Sequence, residues 1–326
     1  MRTTRILITI LVLCSVLTVI SACNIIPSIA LDDEETTDIN PLPEAANTVD
    51  KQVTLYFKYA DENMLAGETR IIDVPVNERI EMAVLEEVLK GPSQDNPELT
   101  SVIPKNAAII DVTDSGEYLF VTLSKEFITE SALATVDIAD PAALETAKQD
   151  MNLAIYSIVD TLIELGGFSR IQILVDTNDS GRGERISLSD IGDDSTEGGT
   201  LEPLGWNGTL LMTPDNTVEL LMEAFAKRDY ETLYALIAYN SSDGTSKPSR
   251  EDFISDLSSQ SVTMEEYYVL DSVVSSDANS VIVAVSFSLK SQDGDTTVKD
   301  NIILQLLRER DLWKADYTSF EEVFME

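Results

Sequence analysis

The chain has 326 residues, about two domains at a prior of roughly 150 residues each. Asp and Glu number 58 against 22 Lys and Arg, and the resulting formal charge of −36, with no basic patch to offset it, excludes a nucleic-acid partner. Histidine is absent, which removes the usual general base, the Ser-His and Cys-His pairs and the commonest transition-metal ligand.

The N-terminus reads as an address. Arg2 and Arg5 precede an apolar run from Ile6 to Ile20. Its length of about 22 Å falls short of a bilayer core of about 30 Å, so residues 1–22 fit a secretory signal peptide. The stretch Leu17-Thr18-Val19-Ile20-Ser21-Ala22-Cys23 resembles the lipobox of bacterial lipoproteins, which implies lipidation at Cys23 and removal of Cys14 with the leader. An ordinary signal peptide with a chance cysteine and an uncleaved anchor are the alternatives. Loss of Arg2 and Arg5 takes the charge to −38. Residues 23–50 follow as a lipidated acidic linker: positions 24–50 hold seven acids, three prolines and no Lys or Arg. Such a segment self-repels and spans about 30 Å as a coil.

From Lys51 the pattern becomes that of a folded domain, expected over 51–190. Val53–Phe57 and Arg70–Val74 read as strands. Asn77 is placed to cap a helix from Glu78 to Lys90, with Ile80, Val84, Leu85, Val88 and Leu89 on one stripe and Gly91-Pro92 as its stop. Ala108–Val112 and Tyr118–Leu123 flank the hairpin signal Asp114-Ser115-Gly116. Pro141 opens a long helix whose stripe runs from Leu144 through Met151, Ile155, Ile158 and Leu162, and Arg170–Val175 is a closing strand. This β-α-β-β-α-β order predicts two helices on one face of a mostly antiparallel sheet.

Several pieces of this domain, in order, resemble the GerM family of sporulation and germination lipoproteins. They are Val53–Phe57, Glu68-Thr69-Arg70, Ala83–Pro92, Ser101–Pro104, Leu119–Phe127, Ile158–Leu162 and Ile171–Asp176. Thr122 stands where the family often has an acid, and the Gly-His element after the last strand is missing. The resemblance implies a non-enzymatic α+β module of membrane-anchored assemblies.

Residues 191–212 read as a polar linker, with an ordered turn at Leu201–Trp206. A second α+β domain is expected over 213–326. Thr213 caps a helix opened by Pro214, Leu233, Leu236 and Ile237 continue the helical part, and a short helix follows near Ser249–Leu257. Four strands complete it, Tyr267–Val274, Ser280–Leu289, Thr296–Leu307 and Leu312–Tyr317. This antiparallel meander, with Glu223–Tyr230 and Arg310–Ala315, resembles a cystatin-like or nuclear-transport-factor-like cone.

Few residues offer chemistry. No Walker A, G-x-S-x-G or S-x-x-K pattern occurs. The pairs Glu86-Glu87 and Glu265-Glu266 read as solvated faces. Asp176, Asn178, Ser180, Gly181 and Glu184 fit five positions of a calcium loop, but the twelfth is Ser187 rather than a bidentate Glu, so an Asx-rich turn is expected. Trp206, Trp313, Tyr267 and Tyr268 are candidates to line a ligand cone, with core packing the favoured reading for Trp313 and the tyrosines. No catalytic, cofactor or metal site is assigned. The expected function is that of a membrane-anchored assembly module of the bacterial cell envelope, with contacts to other, basic envelope proteins through 51–190 and divalent cations as promoters. A small-ligand carrier using the C-terminal cone and a carboxylate-dependent hydrolase are the alternatives.

Overall fold

A computed structural model describes residues 47–325 apart from 194, 261 and 277. The leader, Cys23 and most of the acidic linker lie outside the described residues. Folding begins with a long ribbon, β1 (Thr48–Tyr59) against β2 (Leu65–Pro75), paired from Thr48↔Pro75 to Lys58↔Leu65. Helix α1 (Ile80–Lys90) follows and buries Val84, Leu85 and Val88. Arg79, not Asn77, occupies its N-cap with no side-chain cap, and Gly91 ends it at φ 84°. The short β3 (Leu99–Thr100) pairs only with Lys58 and Tyr59, so the sheet order is β2-β1-β3.

Glu68 on β2 is buried beneath α1. Its carboxylate accepts from Arg70 Nε (3.0 Å), Ser93 N (2.9 Å) and Asn96 Nδ2 (3.0 Å), and Arg70 continues to Glu87 (2.7 Å). Burial alone would raise the Glu68 pKa. The hydrogen bonds from Asn96, Arg70 and Ser93 outweigh it and hold the group below its ordinary value.

The second sheet runs β4-β5-β6-β7, with β4 (Ile109–Ser115), β5 (Tyr118–Ser124), β6 (Arg170–Asp176) and β7 (Glu184–Arg185). Gly116 at φ 66° makes the β4–β5 turn, and β5 and β6 are parallel. Two short helices, α2 (Glu126–Thr129) and α3 (Ala132–Thr135), lead into α4 (Pro141–Glu164). Asp140 caps α4 through the Ala142 and Ala143 amides, and Gly166 and Gly167 turn the chain at positive φ. The single sheet expected from the pattern is thus two sheets, and α4 explains the division. Ser157 Oγ donates to the Tyr56 carbonyl (2.6 Å) and Thr161 Oγ1 accepts from the Tyr56 amide (3.0 Å), both buried. Helix side chains take the place a neighbouring strand would have along β1.

The polar stretch after β6 packs rather than hangs free. Ile186 and Leu201 are buried, Leu201 N donates to Ile186 O (2.8 Å), and Leu204 bridges Ile171. Met212 N then donates to Leu65 O (2.8 Å). Apolar residues spaced through a polar segment hold it against the first lobe.

The second lobe opens with α5 (Pro214–Lys227), capped by Thr213 as expected, then α6 (Tyr230–Ala235) and α7 (Arg250–Ser259). Its sheet is β11-β10-β9-β8, from β8 (Val262–Val274), β9 (Ser280–Ser291), β10 (Thr296–Glu309) and β11 (Leu312–Ala315). Bulges at Met264/Glu266, Val269/Ser272 and Lys299/Ile302 curl it into a half-barrel. The last strand stops at Ala315, short of the expected Tyr317, because Asp316 caps a further helix, α8 (Tyr317–Phe324). This helix fills the half-barrel: Phe320 and Phe324 lie 4.8 Å apart, with Phe225 (5.0 Å) and Phe287 (5.2 Å) against Phe324 and Phe253 (5.7 Å) against Phe320. The chain is an α+β protein.

Two stability outcomes follow from these contacts. Thr161→Val leaves the buried Tyr56 amide unpaired, so urea unfolding should lose about 1–3 kcal/mol with an unchanged m value. A loss below about 0.5 kcal/mol would contradict the sealing role. The Glu68 pKa is lower folded than unfolded. Its contribution is therefore present above about pH 4.3 and is lost as pH falls through the folded value. Glu68→Gln should be less stable than the parent by about 1–3 kcal/mol at pH 7, and the gap should narrow by pH 3. A gap independent of pH would contradict the network.

Candidate functional site

The outer edge of β2 is where the two lobes meet. Tyr56 and Gly67 form a pair whose backbone groups face away from one another, so on β2 the outward positions are Leu65, Gly67, Thr69, Ile71 and Asp73. Leu65 O is taken by Met212. Thr69 N donates to Asp311 Oδ2 at 2.9 Å. Asp311 belongs to the two-residue turn between β10 and β11, closed by the Glu309↔Leu312 pair, in which Arg310 (φ 50°) and Asp311 (φ 68°) are both left-handed. Asn-Gly is the usual choice for such a turn, and here a strained pair carries the carboxylate that caps β2. Arg308 Nη2 holds the other oxygen, Asp311 Oδ1, at 3.2 Å. Behind this contact, Lys314, which is buried, pairs with Glu98 of the first lobe at 2.5 Å.

A hollow opens on each side of the Thr69–Asp311 contact. One, of about 470 Å³, exposes Ile71 beside Ser93, Asp95 and Arg310. The other, of about 250 Å³, is walled by Tyr56, Trp206 and Trp313 and edged by Glu164 and Arg308. Trp206 stands edge-on to Tyr56, with centroids 5.9 Å apart at 78°, and the Arg308 guanidinium lies 6.0 Å from the Trp313 ring. The next residue fixes Trp206: Asn207 N donates to Asp160 Oδ1 at 2.9 Å. Asp160 is fully buried on α4, and burial pushes its pKa up to about 6 against the Asn207 hydrogen bond, with Glu164 adding to the rise.

The four aromatic candidates do not share a cone. Trp206 and Trp313 come together between the lobes, Tyr267 is half-buried, and Tyr268 is 60% exposed on β8 rather than in the core. Phe320, Val323 and Phe324, spaced three and four apart after a capping Asp316, carried the signal for the helix that occupies the cone. The Asp176 loop is built as an Asx turn: Asp176 accepts from the amides of Ser180 (2.9 Å) and Gly181 (2.6 Å), and those bonds lower its pKa. Asp179 pairs instead with Lys125. Thr122 packs against Gly183, where a Cβ would come within 2.7 Å of its hydroxyl and 2.6 Å of Leu174 Cβ. Glu87 serves the Arg70 network, Glu265 pairs with Lys290 (2.7 Å), and Glu86 and Glu266 are exposed. Among the described residues no group of three or more Cys, Asp or Glu is arranged to hold a metal, and no helix is long and apolar enough to cross a membrane. Asp160, Glu68 and Asp311 carry no motif of their own; their roles depend on partners far away in the chain.

A family model of sporulation and spore germination proteins, Germane, matches residues 54–179. No curated protein matches the sequence. Among solved structures, the tandem GerMN domains of the sporulation protein GerM from Bacillus subtilis align at 13% identity and TM-score 0.32, covering 48% of this chain and 45% of that one. The chain thus spans under half the length of that relative. A protein of Clostridium perfringens described as a candidate lipoprotein aligns at 23% identity and TM-score 0.26, over 48% of this chain and 87% of that one. An NTF2-like protein from Cytophaga hutchinsonii aligns at 18% identity and TM-score 0.24, over 31% and 88%. Residues 54–179, which hold most of the β1–β2 ribbon with α1, α4 and the β4–β6 sheet, are thus similar to the Germane domain of sporulation and spore germination proteins.

Proposed function

We propose that the chain is a lipoprotein, lipidated at Cys23 and held on the extracytoplasmic face of the cell membrane, that acts as a non-catalytic assembly module of the bacterial envelope in sporulation or germination. The Germane match supports the process. The lipobox-like run ending at Cys23 supports the anchor, and the acidic segment behind it supports a spacer.

The observation that carries the assembly role is the outer edge of β2. Beyond the Asp311 cap its backbone faces solvent at Ile71 and Asp73, Ile71 is 71% exposed, and Val76 just past the strand is 62% exposed. An edge of this kind adds a strand from a partner through backbone hydrogen bonds. The charge of −36 points to a basic partner or to divalent cations as promoters, and to a monomer at low salt. The carrier alternative needs an open cone, and phenylalanines occupy that space. For a hydrolase, Asp311 is committed to Thr69 and Arg308.

Cys23→Ala should shift the protein from membrane to soluble fractions or stall leader processing; membrane partition after normal cleavage would contradict the anchor. A photo-crosslinking residue at Val76 should trap a basic envelope protein in cells. Ile71→Pro removes one outward N–H without touching the β1 ladder, so it should abolish that adduct while Tm changes little. An adduct that survives Ile71→Pro would contradict strand addition.

A further inference from the structure

The chain has two tryptophans, and both line one cleft although they come from different lobes. Trp206 is 45% exposed, yet it is held in place: its neighbour Asn207 is tied to the buried Asp160, and its ring rests edge-on against Tyr56. Two indoles that share one concave site, one of them half open to solvent, form an apolar wall on which a ligand can lie. The charges decide its class. Arg308 beside Trp313 disfavours a cation at the ring faces. Glu164 and Asp311 at the rim, with a net charge of −36, disfavour an anion. The remaining class is neutral, with an apolar face to lie on the rings and hydroxyls to meet Glu164, Arg308 and Thr54. A pyranose ring has that form.

The dimensions agree. A volume of about 250 Å³ lies below the roughly 300 Å³ at which drug-sized sites begin, which suits one ring with the rest of a chain outside. The floor is Gly67, where a Cβ would lie 2.9 Å from Thr54 Cγ2 and 3.3 Å from Tyr56 Cε1, so no side chain intrudes. We propose that the cleft walled by Tyr56, Trp206 and Trp313 binds one neutral sugar ring of a glycan. This site is separate from the free edge at Ile71 and does not depend on the assembly reading.

The test is a ligand-observed NMR titration of the full chain in detergent. Its probes are two neutral trisaccharides, tri-N-acetylchitotriose and cellotriose, with tetramethylammonium and N-acetylphenylalaninamide as controls. The expected result is saturable binding of at least one trisaccharide with a Kd of about 1 mM or tighter. Trp206→Ala should weaken it about tenfold or more at unchanged Tm. The exposed Glu164→Gln should weaken it as well, which keeps the test valid if Trp206→Ala fails to fold. Absence of saturation with both sugars, equal binding by both variants, or a response to the controls alone would overturn the proposal.

Discussion

A long two-stranded ribbon cannot stand alone in water, because each of its edges presents unpaired amides and carbonyls. The protein is organised around how those edges are closed. On the β1 side, Ser157 and Thr161 of α4 bond both backbone groups of Tyr56, about a hundred residues away in sequence. That contact sets α4 across the ribbon, and from there α4 aligns the stripe of Met151, Ile155, Ile158 and Leu162 with the core. The same helix also packs against β6 of the second sheet. Without the hydroxyls of Ser157 and Thr161, the apolar stripe would still bury itself but nothing would fix its register on β1.

The β2 side is closed differently and only in part. Asp311 supplies a single charge-assisted bond to the Thr69 amide from a turn in which two non-glycine residues adopt left-handed backbone. A left-handed residue costs roughly 1–2 kcal/mol, and a hydrogen bond to a charged group returns about 1.5–3 kcal/mol. The two such residues together cost roughly 2–4 kcal/mol, about as much as or slightly more than that one bond returns, and the pair between buried Lys314 and half-buried Glu98 and the Leu65–Met212 bond add to the same junction. One aspartate thus divides the edge: an aromatic cleft on one side, a free strand on the other.

Periodicity made much of the fold legible. The stripes of α1 and α4, the Thr213-Pro214 start of α5 and the hairpin at Gly116 are local patterns, and local physics decides them. What could not be read depends on distant partners. Ser157 and Thr161 lie among apolar residues with no sign that their hydroxyls serve a strand. Tyr317 continues the aromatic alternation of a strand, and only the cap at Asp316 ends it. The spacing of Ile186, Leu201 and Leu204 within a polar stretch gives no period, so that stretch read as a linker although it packs. Trp206 and Trp313, over a hundred positions apart, become neighbours only once both lobes are folded.

Native-state hydrogen exchange followed residue by residue measures directly the asymmetry between the closed and free edges of the β1–β2 ribbon. The Tyr56 amide, sealed by Thr161, should exchange only with the most protected core amides. The Thr69 amide, bonded to Asp311, should be slowed as well, and the Ile71 and Asp73 amides on the same edge should exchange fast. Equal protection of Thr69, Ile71 and Asp73, or a Tyr56 amide that exchanges as fast as theirs, would contradict it.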